Sequence, residues 1–156
     1  MRPLHRFLKT LPFFSVLFFI VGGSTLSLGG YPLLPALFLI PVFYWLIFRP
    51  EWLPLWSLFG IGLFYDALMG YELGFSSLLL MASVFAGQYV RPFLSSYQFL
   101  LIWGAFGLYS FGYLILYGIV MSAGFPLLVS WIYGFILYPL VTWGLSHLHL
   151  RLHSYG

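Results

Sequence analysis

The chain contains no cysteine and almost no charge. Without cysteine it can form no disulfide, no thiolate nucleophile and no thiolate metal site. Only three of its 156 residues are acidic and six are Lys or Arg, so charged residues make up 6% of the chain. Ordinary soluble domains carry roughly 25%, and a water-exposed surface cannot be assembled from so few. The net charge of +3 comes from single basic residues scattered between apolar runs, which gives no basic face for nucleic acid. Also missing are a phosphate-binding glycine loop, a Walker lysine, a carboxylate pair and a nucleophile with its base. No catalytic residues, metal ligands or cofactor-binding motif are therefore assigned, and the chain reads as a non-enzyme.

What is present is apolar: 62% of residues are hydrophobic and 23% are aromatic. Apolar runs lie near 11–29, 33–48, 54–70, 73–90, 98–123 and 125–148. Several approach the roughly 20 residues that cross a bilayer as a helix. The breaks between them are GGYP, RPEWLP, GYEL, RPFLSSY and AGFP, rich in the Gly and Pro of turns. A transmembrane barrel would instead show short segments alternating between apolar and polar. The sequence thus predicts an all-α integral membrane protein, a single transmembrane domain over 1–156 with six spans in the lipid bilayer.

Basic residues give an independent test of that count. Six crossings put the N-terminal tail, the second and fourth breaks and the C-terminal tail on one side. Arg2, Arg6, Lys9, Arg49, Arg91 and Arg151 all fall there, and the other side keeps one charge, Glu72. Positive residues near span ends mark the cytoplasmic face, so both termini are expected in the cytoplasm. MRPLHRFLK followed by an apolar run resembles a signal peptide, but the charge pattern works with the first span retained. Gly22-Gly23-Ser24-Thr25 is a possible break in that span, and Pro35 and Pro41 are possible kinks in the second.

One carboxylate interrupts the third run, in GLFYDALMGYELG. An acidic residue near a helix centre costs roughly 2.5–3.5 kcal/mol on insertion, and each Leu, Ile or Phe returns about 0.3–0.6. The neighbours of Asp66 can offset that cost, yet the carboxyl still needs polar company. Gly62, Asp66, Gly70 and, if the helix continued, Gly74 recur every four residues and share one helical face. Small residues at that spacing let another helix come close, so Asp66 is expected to face protein. Matched depth suggests Ser76 and Ser77 on the fourth span, or Tyr109 and Tyr113 on the fifth, as hydroxyl partners. A structural hydrogen bond, a proton or ligand site and a contact to another membrane protein are the three roles open to it.

Other features read blandly. Gly74-Phe75-Ser76-Ser77 looks superficially like the Gly-x-Ser of rhomboid proteases, but the histidines expected to serve as base lie at the opposite membrane face. His149 and His153 are too few for a zinc site, and with His5 and His147 they read as interfacial. Gly23/Ser27, Ala82/Ala86, Ser83/Gly87, Gly118/Ser122 and Ser130/Gly134 are small pairs suited to helix packing. Trp52, Trp56, Tyr71, Tyr89 and Tyr97 read as interfacial anchors.

Arg49-Pro50-Glu51, Pro54 and then Gly62-Leu63-x-x-Asp66-x-x-x-Gly70-x-x-Leu73-Gly74 resemble the signature region of the rod shape-determining protein MreD family. The resemblance covers about residues 45–80; elsewhere it rests on hydropathy and span spacing. It implies a bacterial inner-membrane protein of the cell-elongation machinery that helps organise peptidoglycan synthesis and cell shape. The expected partner is the transmembrane helix of MreC, and through it MreB, RodA and a class B penicillin-binding transpeptidase. The fold it implies is similar to the six-helix substrate-binding subunit of energy-coupling-factor vitamin transporters. A vitamin-type or lipid transporter subunit is accordingly the competing expectation. Against it, the first span has no Ala-x-x-x-Ala, a pair found only at Ala82/Ala86.

Overall fold

The computed structural model describes residues 3–25, 27–28, 31–32, 36–94, 98–122 and 124–154. Arg2, Pro35 and Tyr97 lie outside them, as do the side chains of His5, Arg6, Lys9, Ser27, His149, Arg151 and His153. Among the described residues six α-helices form: α1 (Pro3–Ser24), α2 (Ala36–Phe48), α3 (Leu55–Met69), α4 (Phe75–Leu94), α5 (Phe99–Met121) and α6 (Phe125–Ser154). Three contain segments long and apolar enough to cross a membrane, Phe75–Leu94, Phe99–Val120 and Phe125–His147. Thr10–Ser24 of α1, α2 and α3 are shorter apolar helices. The chain is therefore an all-helical, multi-pass membrane protein candidate.

Helix α1 stops at Ser24, short of the expected end at residue 29. There the Ser24 Oγ donates to the Val21 carbonyl at 2.7 Å and the Thr25 Oγ1 to the Gly22 carbonyl at 2.8 Å. Hydroxyls turned back onto last-turn carbonyls satisfy groups that a helix end leaves unpaired. Two short antiparallel strands follow, β1 (Ser27–Leu28) and β2 (Tyr31–Pro32), with Leu28 opposite Tyr31. At the other end of the chain α6 continues beyond residue 148 to Ser154.

Helix α2 occupies the centre. Its sequence ALFLIPVFYWLIF has no polar face, and every residue from Ala36 to Ile47 is buried. A helix that is apolar all round belongs where neighbours cover all of it. Helices α1, α4, α5 and α6 supply that cover. With 13 residues α2 is only roughly 20 Å long. Gly134 of α6 meets the Ala36 side chain so closely that a methyl on Gly134 would overlap it. The Trp45 indole N–H donates to Ser15 Oγ at 2.9 Å and its ring stacks on Trp52. This ties the end of α2 to α1 and to the 3-10 turn Pro50–Trp52.

Proline chemistry explains one link between α5 and α6. Pro139 has no N–H, so the Phe135 carbonyl one turn earlier loses its helical donor. The Trp103 indole N–H of α5 takes that place at 3.0 Å. Nearby, the Trp131 indole donates back to the Gly107 carbonyl at 3.1 Å. Gly107 also lets Phe135 lie against the α5 backbone, where a side chain would collide with its ring.

Candidate functional site

The conspicuous motif builds the hairpin between α3 and α4. Gly62 faces the Ser77 backbone, and a methyl group placed on it would overlap Ser77 Cα, N and Oγ. Only glycine permits that approach. The Ser77 hydroxyl uses the proximity to donate to the Phe59 carbonyl at 2.9 Å. Helix α3 then closes on Gly70, whose φ of 70° is left-handed and whose N–H returns to the Asp66 carbonyl. The Tyr71 N–H bonds the same carbonyl at 3.0 Å. Glycine at such a helix end avoids the clash a Cβ would create. Gly74 has φ of 104°, again a conformation that side chains disfavour.

Asp66 is completely buried. Its Oδ2 accepts the Gly74 N–H at 2.9 Å and the Ser76 N–H at 3.2 Å. Those groups belong to the start of α4, where backbone donors have no partner within the helix. Gly74 stands directly before Phe75, the first residue of α4, and offers no capping side chain. Asp66 therefore caps the helix from the preceding one, reaching the same N–H that a local Ser, Thr or Asp would serve. A carboxylate there also meets the positive end of the helix dipole.

The expected partners sort themselves around this cap. Ser76 meets the carboxylate through its backbone N–H, and Ser77 instead bonds α3. The Tyr109 hydroxyl donates to Ser83 Oγ at 3.0 Å, linking α5 to α4. Tyr113 is buried next to Tyr117, their rings 6.5 Å apart and nearly parallel, and both lie within electrostatic range of Asp66. Tyr117, which the depth argument passed over as a partner, also packs against Tyr65, Tyr71 and Phe75. Its spacing from Tyr109 and Tyr113, four residues per step, was the available signal.

Arg49 and Pro50 lie at a different turn, before α3. Pro50 opens the 3-10 turn, where its missing N–H costs nothing. The Arg49 guanidinium reaches Glu51 at 3.4 Å and sits 5.2 Å from the centre of the Trp52 ring. The pair is solvent-exposed, so it orients the turn more than it stabilises it.

A second feature lies on the outer surface. Helices α4 and α5 follow one another in the chain but touch sparingly. Between them runs an apolar groove of about 360 Å³, floored by Phe43 of α2 and edged by Ala82, Ala86 and Gly87 of α4 and Ala105 and Gly112 of α5. Ala82 and Ala86 are exposed within it.

No protein-family model, no curated protein and no solved structure matches the chain.

Proposed function

We propose that the chain is a non-enzymatic inner-membrane scaffold of the bacterial cell-elongation machinery, of the MreD type. All six helices cross the membrane in this reading, with both termini cytoplasmic. The family assignment rests on the residues from Arg49 to Gly74 quoted above. The α4–α5 groove is the observation that carries the scaffold reading. It is apolar, runs along about three turns of α4 and α5 and is edged by small side chains, the surface on which one transmembrane helix rests against another. Its occupant in this reading is the single transmembrane helix of MreC, and MreB, RodA and the transpeptidase connect through that contact.

The absence of cysteine makes the test clean. Single cysteines replacing Ala82 or Ala86 should cross-link to a cysteine scanned along the partner helix. A cysteine replacing Ile132, exposed on α6, should not. Equal cross-linking from Ile132, or failure to recover any membrane partner in mild detergent, would overturn the reading.

A second reading, lipid binding, has its own observation. The cavity beside the groove shares Leu46 and Gly87 with it and is lined also by Gln88 and Arg91. An acyl chain in the groove would thus end near a cation and an amide. Native mass spectrometry that found a retained anionic lipid, lost in Arg91→Ala, would favour this over the helix.

A further inference from the structure

Four buried side-chain atoms near the capped end of α4 have no hydrogen-bond partner among the described residues. They are Asp66 Oδ1, Ser76 Oγ, Tyr113 OH and Tyr117 OH. All four residues are at least nine-tenths buried. They come from three helices that meet here: the Ser76 N–H bonds Asp66, and the Tyr117 ring packs against Tyr113 and against Phe75, the residue before Ser76. Buried polar atoms are almost always satisfied, by protein or by ordered water. Lipid offers no alternative, because the hydrocarbon core has nothing to donate or accept.

The chemistry of the four atoms selects the missing partner. One carboxylate oxygen only accepts in its charged form, while three hydroxyls both donate and accept. A buried water needs 2–4 polar partners, and this set supplies them. A cation fits less well. The other oxygen of Asp66 already accepts two N–H groups at a helix N-terminus, so its charge is compensated, and four oxygens fall short of the 6–8 that calcium takes.

We propose that Asp66, Ser76, Tyr113 and Tyr117 form an internal hydration site whose one or two ordered waters join α3, α4 and α5. The site adds a polar link between α5 and the hairpin, beside the ring contact of Tyr117 with Phe75. It does not depend on which partner the protein binds.

Radiolytic hydroxyl-radical footprinting of the intact protein in nanodiscs tests this, since radicals generated from a bound water oxidise the side chains beside it. Tyr113 and Tyr117 should be oxidised at least several-fold faster than Phe106, which is fully buried among apolar rings. Tyr117→Phe keeps the ring and removes one ligand of the water, and should slow oxidation of Tyr113 by a similar factor. Oxidation of both tyrosines no faster than Phe106 would overturn the proposal. So would a high-resolution map in which a tyrosine hydroxyl bonds Asp66 Oδ1 directly with no intervening density.

Discussion

Replacing Asp66 separates acceptor geometry from mere polarity, because its two natural substitutions lose different things. In Asp66→Leu the N–H groups of Gly74 and Ser76, now bonded at 2.9 and 3.2 Å, lose their acceptor in a site closed to bulk solvent. Each orphaned donor costs about 1–3 kcal/mol, so the pair should cost about 2–6 kcal/mol. In Asp66→Asn the amide oxygen can still accept both bonds. What is lost is the interaction of charge with the α4 dipole, about 1 kcal/mol in a buried setting. For a chain of this size about 1 kcal/mol moves the melting temperature by about 2–4 °C. Asn should therefore lower it by about 2–4 °C and Leu by roughly 4–24 °C. Circular dichroism melts in mild detergent, or gel filtration after heating, read the difference directly. Equal losses from Asn and Leu would refute the capping account, since they would mean that the two accepted bonds contribute nothing beyond charge.

Three further comparisons of variants probe the hairpin and the bundle. Gly62→Ala should cost about 1–3 kcal/mol, as expected for overfilling a closed contact, because its methyl meets the Ser77 backbone. Gly60→Ala, on the same helix with open space around it, should be neutral or stabilising by up to about 1 kcal/mol; similar behaviour of the two would disprove the close approach. Gly70→Asn should be tolerated better than Gly70→Val in thermal melts, since Asn enters the left-handed region at φ of 70° and a β-branched residue resists it. Trp103→Phe should cost about 1 kcal/mol by leaving the Phe135 carbonyl unpaired, and adding Pro139→Ala should recover part of it by restoring a helical donor.

Much of this architecture is legible in the sequence because the signals are local. Six apolar runs punctuated by Gly and Pro become six helices, and Gly62 does lie close against α4, whereas Gly70 and Gly74 have open space around them and serve through their positive φ instead. The partner of Asp66 was harder to read. Depth matching compares side chains on neighbouring helices, so it proposed hydroxyls and could not weigh backbone donors. The relevant clue was an omission: α4 begins after Gly74, with no Ser, Thr, Asp or Asn to cap it, so its first N–H groups had to find an acceptor elsewhere. The early end of α1 was also ambiguous, because Leu26 and Leu28 continue the hydropathy past Ser24 and hide the loss of helix propensity at Gly22 and Gly23.

The shortness of α2 acquires a reason from its position. A 13-residue helix and a 15-residue helix, α2 and α3, are roughly 20 and 22 Å long, less than the roughly 30 Å of a hydrocarbon core. Exposed to lipid, α2 would bring its ends and the backbone carbonyl freed by Pro41 into hydrocarbon, where unpaired groups cost several kcal/mol. Buried from Ala36 to Ile47, it is shielded from lipid along that length. Burial among α1, α4, α5 and α6 is what makes shortness and proline tolerable in α2. The same arrangement bears on the proposed partner contact. With α2 in the centre and α3 committed to α4 through Gly62 and Asp66, the sparse contact between α4 and α5 leaves Phe43 of α2 at the floor of a groove. A bulky side chain there, as in Ala86→Trp, should fill the groove without touching the Asp66 cap. Loss of partner recovery with an unchanged melting temperature would locate binding at that seam, and normal recovery would move it elsewhere.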